Sequence, residues 1–448
     1  MAKRKRLPIP TEPVLARVEA FDARGRGIAT VDERRVHLAN ALPGELVRFR
    51  YLRRARRTDD GVVECVLEPA AHRVSAGCAH FDVCGGCRAQ HIDPEYQIAE
   101  HEQSLVDALA ERGVIPTTLA PALRGPMWGY RRRARLAARL VPKKGGVLVG
   151  FREKASNYVA QMSACEVLVP EVGHAIDELR DLIGGLSVAA QIPQIEVAAG
   201  DNAAALVFRH LAPLSQPDCH ALGDFAKRSG LRVLLQPGGL NTVHALDPSM
   251  GARAGMELSY RLDQFDLTLD FLPIDFIQIN AAVNREMVGQ AHTWLAPHEG
   301  ERVLDLFCGL GNFSLPLARS GAHVLGLEGE IGLVHRASAN ASSNTMNNAQ
   351  FEMADLFDVD VVRHTLGWGP DKVLLDPPRS GAQALCEALA GLTGPRPSRV
   401  VYVSCSPETF VRDAAQLVAG GYALTRTGIV DMFPHTGHVE TMGQFDLA

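Results

Sequence analysis

Long hydrophobic runs are absent from this sequence. No stretch approaches the ~18 consecutive apolar residues of a membrane-spanning helix, and the opening MAKRKRLPIP lacks the apolar core of a secretory signal. We therefore expect a cytoplasmic protein with no membrane partner. The 448 residues, 46% of them hydrophobic and 22% charged, are typical of a globular chain. At about 150 residues per domain this length predicts two or three domains, and we expect a monomer.

Net charge is also small, at −5, but it is unevenly distributed. Residues 1–73 carry 16 Lys and Arg against 10 Asp and Glu, whereas the rest of the chain carries 30 against 41. Residues 125–150 contain no acidic residue but include Trp128, Tyr130, Arg131, Arg132, Arg133, Arg135, Arg139, Lys143 and Lys144. Because basic side chains neutralise phosphates and aromatic rings stack on unpaired bases, the two regions predict RNA binding. A solvated pair of charged strands would explain the second region equally well on its own.

The apolar patterns divide the chain into three regions. Residues 10–72 alternate short β segments with Gly and Pro turns, which is typical of a small OB-like β-barrel. Residues 73–272 begin with a Cys and Gly cluster, continue with a helix predicted at 94–112 that could pack on the third region, and then indicate a mostly antiparallel sheet. In residues 273–448, strand cores such as RVLDLF and HVLGLE alternate with helices, which predicts a Rossmann-like α/β domain.

Cysteine is sparse, and its number is odd. Nine cysteines in a chain expected to be cytoplasmic argue against a disulfide framework. Cys78, Cys84 and Cys87 have C-x5-C-x2-C spacing, which favours an iron–sulfur cluster and leaves zinc open. A fourth thiolate is required, and Cys165 is the favoured candidate because it follows the basic strands expected to pack back on the cysteine loop. Three other cysteines lie in apolar segments and are most simply packed thiols: Cys65, Cys219 and Cys386.

A glycine loop follows the first strand of the C-terminal region. In VLDLFCGLGNFSLPLA, Gly309 and Gly311 separate a buried strand from a helix and let a ligand approach the backbone. No Walker lysine follows, which disfavours nucleoside triphosphate hydrolysis. Glu328 ends the next strand, where it can accept hydrogen bonds from ribose hydroxyls, and Asp355 follows the third strand. Either acid alone could be a helix cap, but their recurrence after successive strands predicts a nucleoside pocket.

Two further reactive side chains follow strand cores. The fourth strand leads into LLDPPRSG and the fifth into VYVSCSP, so Asp376 and Cys405 are expected at the ligand-binding edge of a parallel sheet. A thiolate at such an edge can act as a nucleophile, although a lone cysteine there is more often structural. The pattern therefore predicts an accessible cysteine beside the nucleoside pocket.

Five segments of the C-terminal region together resemble the RNA uracil-5-methyltransferase family. They are FIQIN at 276–280, DLFCGLGNFSL at 305–315, LDPPRSG at 375–381, YVSCSP at 402–407 and MFPHTGHVET at 432–441. The barrel and the cysteine loop resemble the TRAM domain and the [4Fe-4S] cluster of members that methylate 23S ribosomal RNA. The resemblance implies C5 methylation of a uridine in that RNA, at position 1939, with S-adenosylmethionine as the methyl donor.

The resemblance also implies roles for individual residues. Cys405 matches the nucleophile of the family, Glu440 matches its general base, and Cys165 is supported as the fourth cluster ligand. Contacts to S-adenosylmethionine are implied for Gln278, Phe307, Asn312, Glu328, Asp355 and Asp376. Two segments depart from the pattern of close relatives, because DPPR stands where DPAR is expected and SCSP stands where SCNP is expected. Asp376 and Cys405 are retained in these segments.

The chemistry explains why these residue types are needed. C5 of uracil is a weak nucleophile, and addition of a thiolate to C6 turns the ring into an enolate whose C5 can take a methyl group. A carboxylate such as Glu440 can then remove the C5 proton as a general base. Because the target base is normally stacked, the enzyme must extrude it from the RNA into the pocket.

Three alternatives fit parts of the same sequence. The substrate could be a uridine in transfer RNA or at another ribosomal site. DPPR is also similar to the Asp-Pro-Pro-aromatic loop of amino-methylating enzymes, although Arg379 replaces the aromatic residue and Cys405 would then have no task. A non-catalytic iron–sulfur RNA-binding protein would retain the cofactor motifs only as vestiges. Binding of S-adenosylmethionine would separate this last alternative from the others.

Overall fold

The computed structural model describes most of the chain. The described residues are 8–22, 25–55, 58–154, 156–247 and 255–448. The chain divides into two compact units, of which the first extends to Glu100 and also includes Glu153–Ser156 and Phe433–His438. The second unit contains His101–Arg152, Asn157–Met432 and Val439–Ala448. Among the described helices, none has the length and apolar character needed to span a membrane.

The first unit contains a six-stranded sheet. Its strands are β1 (Val14–Arg17), β2 (Ala20–Phe21), β3 (Gly27–Val31), β4 (Arg34–Ala39), β5 (Leu46–Arg54) and β6 (Asp59–Glu68). They pair in the order β1-β5-β6-β4-β3-β2, with β4 and β6 parallel and the other neighbours antiparallel. Alternate residues such as Val36, Leu38, Val47 and Phe49 share one buried apolar core. The short strands therefore lie where the sequence pattern predicts them.

A long helix follows the cysteine segment. Helix α1 (Pro94–Glu111) begins after Asp93, whose carboxylate accepts backbone N–H groups of Glu95 and Tyr96 at 2.9 and 3.1 Å. Pro94 occupies the first helical position, where it has no hydrogen bond to lose. Gly113, with φ of 72°, lies just after the end of the helix. The helix predicted at 94–112 is thus confirmed.

The second unit begins with a mixed sheet. The strands that open this unit are β7 (Thr118–Leu119), β8 (Arg133–Val141), β9 (Gly146–Gly150), β10 (Gln194–Ala199), β11 (Ala204–Arg209), β12 (Arg232–Gln236) and β13 (His244–Ala245). The helices are α2 (Pro170–Gly173), α3 (Ile176–Gly185) and α4 (Gln216–Ser229). The sheet order is β13-β12-β11-β10-β8-β9, in which β11 and β12 are parallel and the other pairs antiparallel. The prediction of a mostly antiparallel sheet is therefore confirmed.

An eight-stranded sheet forms the C-terminal part of the second unit. A separate hairpin, β14 (Leu258–Leu262) and β15 (Leu267–Phe271), precedes it. The elements that follow are α5 (Ala281–Leu295), β16 (Arg302–Leu306), α6 (Ser314–Ala318), β17 (His323–Glu328), α7 (Ile331–Ser343), β18 (Ala349–Met353), α8 (Val359–Leu366), β19 (Lys372–Leu375), α9 (Gln383–Ala390), β20 (Arg399–Ser404), α10 (Pro407–Ala419), β21 (Tyr422–Val430) and β22 (Glu440–Leu447). Short 3₁₀ helices lie at Pro142–Lys144, Ala189–Gln191, Leu240–Thr242 and Asp263–Phe265.

The strand order of this sheet creates a cleft at one edge. The order is β18-β17-β16-β19-β20-β22-β21-β7, with parallel pairing from β18 to β20 and antiparallel pairing of β22 with both neighbours. The chain runs outward from β16 to β18 and then returns to β19 on the other side. In open α/β sheets ligands bind at this reversal, outside the carboxyl ends of the strands. The Rossmann-like prediction is confirmed, while the added edge strand β7 was not predicted.

The three regions predicted from sequence divide the chain differently from the two compact units. The predicted boundary at residue 72 falls within the first unit, which continues through the cysteine segment to Glu100. The predicted boundary at residue 272 falls within the second unit, which includes both the mixed sheet and the eight-stranded sheet. Sequence periodicity separates types of secondary structure, whereas compactness depends on which elements pack together.

Candidate active site

The glycine loop after β16 has an unusual backbone. Phe307, Gly309 and Gly311 have positive φ angles of 66, 57 and 96°. Backbone N–H groups of Phe307 and Cys308 donate to the carbonyl of Leu327, at 2.9 and 3.0 Å, which holds the loop against β17. A Cβ atom added to Gly309 would have no neighbour within 4 Å, so the loop backbone there faces open space. A ligand can therefore approach the main chain closely at this position.

Glu328 lies at the end of β17 with its carboxylate oriented by two backbone groups. One oxygen accepts the N–H of Gly309 and the other accepts the N–H of Glu330, both at 3.1 Å. The side chain is only partly buried, and each oxygen retains further acceptor capacity. This geometry suits the predicted acceptance of hydrogen bonds from ribose hydroxyls.

An aromatic ring and a carboxylate follow β18, and the ring lies near Phe307 of the glycine loop. The rings of Phe307 and Phe357 are 5.7 Å apart between centroids. Asp355 is exposed, and its side chain accepts the N–H of Phe357 at 3.0 Å. Phe357 is 55% exposed although it is large and apolar. The structure therefore brings Phe307 and Asp355 to the same side of the cleft, with Phe357 connecting them.

Asn312 is held by two residues that the sequence did not suggest. Its side-chain oxygen accepts hydrogen bonds from the Tyr260 hydroxyl at 2.9 Å and the Asn284 amide at 3.0 Å. Its own amide donates back to Asn284 at 2.9 Å. These partners lie on β14 and α5, far from Asn312 in sequence, so no local pattern could have identified them. Asn312 thereby fixes the end of the glycine loop.

Three carboxyl groups crowd the ends of β16, β17 and β19. Asp305 is fully buried and accepts a hydrogen bond from Ser314, while its other oxygen has no hydrogen-bond partner among the described residues. Burial raises the pKa of Asp305 to about 7, with a further contribution from the charge of Glu328. Burial, together with Asp305 and Glu328, raises the pKa of Asp376 to about 8. This edge therefore favours a cationic ligand or retained protons.

Gln278 extends the cleft from the segment between β15 and α5. Its amide nitrogen lies 3.5 Å from a carboxylate oxygen of Asp376, which is a long hydrogen bond. The backbone N–H of Asp376 donates to the carbonyl of Leu306 at 3.2 Å. The structure thus brings two of the predicted cofactor-binding residues, Gln278 and Asp376, together beside the end of β16.

Cys405 and Glu440 lie at the same end of two adjacent strands, because Cys405 directly follows β20 and Glu440 begins β22. The antiparallel ladder of β20 and β22 ends with Ser404 paired to Thr441, and Cys405 and Glu440 are the next residues at this end. Glu440 is buried, and one of its oxygens has no hydrogen-bond partner in the described part of the chain. Cys405 is partly exposed. Residues 35 positions apart in sequence are therefore brought together by strand register.

The electrostatic surroundings of this pair are acidic. Burial, and then the charge of Asp376, raises the pKa of Glu440 well above its usual value. Burial likewise raises the pKa of the Cys405 thiol, and Glu440 and Asp376 raise it further. Arg379 acts in the opposite direction and lowers the pKa of Cys405. A carboxyl with a raised pKa is a strong proton acceptor once ionised, as a general base must be.

One of the two departures from the family pattern, SCSP for SCNP, has a structural explanation, and nothing in the structure explains the proline at 378 in DPPR. In SCSP, the Ser406 hydroxyl caps α10 by accepting the N–H of Thr409, and Pro407 starts the helix. Ser and Asn are about equally good at this position, so the expected asparagine can be replaced. In DPPRSG, Gly381 has φ of 75°, and an added Cβ would lie 2.6 Å from a carboxylate oxygen of Asp413. The loop is thus packed tightly against α10.

The cysteine segment places three thiols on one loop of the first unit. The sulfur atoms of Cys78 and Cys84 accept backbone N–H groups of His80 and Gly86 at 3.4 and 3.3 Å, as in many iron–sulfur sites. Cys165 is buried and belongs to the second unit. Within the described ranges, no group of three or more His, Cys, Asp or Glu side chains is arranged to hold a metal ion. The donor chemistry of the three loop thiols fits an iron–sulfur cluster.

A lysine beside this loop escaped sequence reasoning. The ammonium of Lys154 lies 3.5 Å from the centroid of the Phe81 ring and donates to the side-chain oxygen of Asn40 at 2.9 Å. Its backbone N–H donates to the carbonyl of Val83 at 3.0 Å. Burial lowers the pKa of Lys154 to about 8, against the opposing charges of Asp82, Cys84 and Cys87. A positive charge therefore lies close to two of the predicted ligand thiols.

Most described arginines of residues 1–73 form ion pairs with carboxylates. Seven of the 16 basic residues in 1–73 lie outside the described residues: Lys3, Arg4, Lys5, Arg6, Arg24, Arg56 and Arg57. Ion pairs with acidic side chains are formed by Arg17, Arg26, Arg34, Arg50, Arg53, Arg54 and Arg73. Residues 1–73 contain nine described basic residues and ten acidic ones, so the described part has no positive excess. The positive excess therefore comes from the positions that are not described.

The second basic region is also partly neutralised. Arg132 pairs with Asp201, and Arg135 pairs with Glu196 at 2.6 Å. Arg133 donates to the carbonyl of Pro273. Arg139 and Lys143, near the turn that joins β8 and β9, are exposed. The end of this hairpin thus retains the charge pattern that predicts phosphate contacts.

Comparison with known proteins gives relatives over the whole chain. Residues 259–445 match the tRNA (Uracil-5-)-methyltransferase family. The chain is 48% identical to the 23S rRNA (uracil(1939)-C(5))-methyltransferase RlmD of Alkalilimnicola ehrlichii, with 99% of this chain and 98% of that protein covered. The protein of the same name from Hahella chejuensis is 44% identical, with 99% and 100% covered.

A solved structure shares the fold. The tRNA (uracil-54, C5)-methyltransferase of Pyrococcus abyssi, in complex with S-adenosyl-L-homocysteine, matches 96% of this chain and 100% of that chain with a TM-score of 0.71. Its sequence identity to this chain is 22%, so the match concerns the arrangement of helices and strands. This likeness agrees with the Rossmann-like sheet and the additional β sheets described above.

Proposed function

Because the chain belongs to the RNA uracil-5-methyltransferase family, we propose that it transfers a methyl group from S-adenosylmethionine to C5 of uridine 1939 in 23S ribosomal RNA. The observation that carries this proposal is the register of β20 and β22, whose last pair, Ser404 with Thr441, leaves Cys405 and Glu440 as the next residues at the same end. A nucleophile and a general base on adjacent strands can act on neighbouring atoms of one flat ring. The full-length relatives support 23S ribosomal RNA as the substrate.

The cofactor would occupy the cleft at the strand reversal. S-adenosylmethionine supplies an electrophilic methyl group on a positively charged sulfur. The open backbone at Gly309 and the oriented carboxylate of Glu328 suit a nucleoside, and the acidic edge suits a sulfonium. The proposed contacts are Gln278, Phe307, Asn312, Glu328, Asp355 and Asp376. Asn312 would act mainly by fixing the loop, because its side chain is engaged by Tyr260 and Asn284.

Cys405 and Glu440 would carry out the chemistry in sequence. The Cys405 thiolate adds to C6 of the extruded uracil, and the ring electrons move so that C5 becomes nucleophilic. After C5 has taken the methyl group, Glu440 removes the C5 proton. Elimination then releases Cys405 and restores the C5–C6 double bond. Burial of Glu440 supports this role, since a desolvated carboxylate holds an accepted proton tightly.

The direct test uses purified protein and a fragment of 23S ribosomal RNA that contains uridine 1939. With S-adenosylmethionine, we expect one methyl group per RNA, located at C5 of that uridine by mass spectrometry of nuclease fragments. The matched control is the same fragment with cytidine at position 1939, which should accept none. Methylation of an exocyclic amine, or of transfer RNA in preference to this fragment, would contradict the proposal.

We also propose that Cys78, Cys84, Cys87 and Cys165 bind a [4Fe-4S] cluster in a TRAM-containing RNA-binding enzyme. The spacing of the first three cysteines and the N–H groups directed at Cys78 and Cys84 sulfur support this proposal. No step at C5 or C6 requires the cluster. Anaerobically purified protein should contain about four iron atoms, and Cys84→Ser should lose them while Cys219→Ser should not. One zinc ion per protein in place of iron would contradict this assignment.

A further inference from the structure

The connection between β21 and β22 passes out of the second compact unit and back into it. Its middle part, Phe433–His438, belongs to the first unit, whereas the strands on either side belong to the second. Glu440 is the first residue of β22, and Val439 alone separates it from this middle part. A segment that groups with the cysteine loop therefore ends one residue before the proposed general base.

His435, within this segment, has an uncommon backbone conformation. Its φ of 67° lies in the left-handed region, which few residues other than Gly, Asn and Asp adopt, and the residue is buried. Its carbonyl accepts two hydrogen bonds from the cysteine loop, from the N–H of Arg88 at 2.8 Å and of Ala89 at 2.9 Å. These donors are the two residues after Cys87. Two donors directed at one carbonyl hold the strained turn in place.

The backbone on each side of this contact is itself fixed. The carbonyl of Ala89 accepts the side-chain amide of Gln97, on α1, at 3.1 Å. In the turn, the Thr436 hydroxyl donates to the carbonyl of Phe433 at 2.8 Å and accepts the N–H of His438 at 3.1 Å. The hydrogen bonds to His435 thus join two ordered backbones, so a shift of the cysteine loop would shift the turn.

The position of Glu440 depends on the backbone that precedes it. Thr441 pairs with Ser404 on β20 and with Ile429 on β21, whereas in the described ladders Glu440 pairs with Val430 on β21 alone. One oxygen of the buried Glu440 carboxyl has no hydrogen-bond partner among the described residues. A strand end with one neighbour opens more readily than a residue held from both sides. The preceding turn is therefore needed to fix where this carboxyl lies.

We propose that the cysteine loop positions the general base. The N–H groups of Arg88 and Ala89 hold His435 in its left-handed turn, and the turn fixes the start of β22, where Glu440 lies. This inference rests on the proposed function, in which Glu440 takes the C5 proton. In that step the C5–H electron pair forms the C5–C6 double bond, and the S–C6 electron pair leaves with the sulfur of Cys405. The three residues act through the backbone and are positioning residues.

The test separates the backbone of His435 from its imidazole. His435→Thr introduces a β-branched side chain that strongly disfavours the left-handed conformation, whereas His435→Asn removes the ring and keeps a residue that adopts this conformation readily. His435→Ala, with an intermediate backbone penalty, provides a milder variant in case His435→Thr does not fold. The matched control is Glu33→Thr, at an exposed turn of the first sheet with φ of 63°. Urea titration establishes that each variant is folded.

The first readout is the covalent protein–RNA adduct formed by the full-length protein with S-adenosylmethionine and the 23S ribosomal RNA fragment. We expect His435→Thr to lower kcat by about tenfold to hundredfold, with no rise in KM for RNA. It should accumulate adduct as Glu440→Gln does, because a displaced carboxylate slows proton removal after the S–C6 bond has formed. His435→Asn and Glu33→Thr should retain kcat within about threefold and accumulate none. Equal effects of the Thr and Asn variants at 435, or slow turnover without adduct, would overturn the inference.

The second readout is deuterium exchange of the backbone amides in residues 438–442, measured without RNA. His435→Thr should speed this exchange by about tenfold, and His435→Asn should leave it near the wild-type rate. Unchanged exchange in a folded His435→Thr protein would refute the positioning of β22 by the turn. If exchange rises as expected but neither His435→Thr nor Glu440→Gln traps an adduct, the proposed role of Glu440 fails while the positioning of β22 stands.

Discussion

Buried carboxyl groups have different partners in the first sheet and in the cleft of the eight-stranded sheet. In the first sheet, the buried carboxylate of Asp59 is paired with Arg34 at 2.8 Å and Arg54 at 3.3 Å. In the cleft, Asp305 and Glu440 are buried, and each has an oxygen without a hydrogen-bond partner in the described ranges. A buried charge with its partners stabilises the fold, whereas a buried carboxyl without them disfavours its own ionisation. The difference separates a carboxylate that stabilises the fold from carboxyls that lie at the proposed site.

The two regions also predict opposite responses to pH. The hydrogen bond from Arg34 lowers the pKa of Asp59, so its contribution to stability is present above the unfolded value near 4 and is lost in acid. Burial raises the pKa of Asp305 to about 7, so the folded state holds this proton more tightly than the unfolded state does. Stability should therefore fall as pH rises from about 4 to about 7 through Asp305.

The largest expected effect is the loss of the nucleophile. Cys405→Ala should reduce methyl transfer on the order of 10⁴-fold or more, because no other group supplies the covalent step. RNA binding and the urea midpoint should stay unchanged, since the thiol is partly exposed. Tritiated methyl transfer and urea titration measure the two properties. Residual turnover near the wild-type rate would show that catalysis is not covalent through this sulfur.

Removal of the general base should separate the two halves of the reaction. Glu440→Gln should slow product formation by about 10²- to 10⁴-fold and accumulate a protein–RNA adduct, because the C5 proton then has no acceptor. The adduct should survive denaturing electrophoresis and disappear in the double variant with Cys405→Ala. Absence of any adduct, with Cys405 intact, would assign the base to another residue.

A smaller and purely structural effect is expected in the first sheet. Asp59→Asn should lower the free energy of unfolding by about 3 kcal/mol at pH 7, because it removes the charge that pairs with two arginines. Methyl transfer per folded molecule should remain at the wild-type level. Glu68→Gln is the control, since its pair with Arg17 is more than half exposed and contributes less than about 1 kcal/mol. Equal effects of the two variants in urea would remove the distinction between buried and exposed pairs.

The smallest effect has the reverse sign. Asp305→Asn should raise the free energy of unfolding on the order of 2 kcal/mol at pH 8.5, because the neutral amide avoids a buried charge and still accepts from Ser314. The gain should shrink toward zero near pH 4.5, where Asp305 is protonated. Asp360→Asn, on the exposed surface of α8, is the control and should show no such pH dependence. A loss of stability at pH 8.5 would place an essential charge at Asp305.

Local patterns predicted most of the strands and several residues of the candidate site. Glu328, Asp376 and Cys405 lie at or just beyond strand ends, and parallel strands bring such residues to one edge whatever the rest of the fold does. Glu440 required the family resemblance, because nothing near it in sequence indicates that β22 inserts antiparallel beside β20. Its position at the same strand end as Cys405 is a property of long-range pairing.

Charge pairing could not be predicted from composition. Arg34 and Asp59 are 25 residues apart, and their ion pair depends on the parallel pairing of β4 with β6. Counting charges along residues 1–73 gave a basic surface, whereas the strands neutralise most of the described arginines. The same reason explains why Tyr260 and Asn284 were missed as partners of Asn312. Each partner comes from an element distant in the chain.

The hydrogen bond between Tyr260 and Asn312 determines where a truncated protein that keeps the site can begin. The predicted catalytic region begins at residue 273, but the family match begins at residue 259, inside the hairpin of β14 and β15. That hairpin carries the hydroxyl that fastens the glycine loop. A truncated protein that starts at residue 273 would lose this hydrogen bond, and one that starts before Leu258 would keep it. The hairpin should therefore form the N-terminus of any methyl-transfer domain that is cut from this chain.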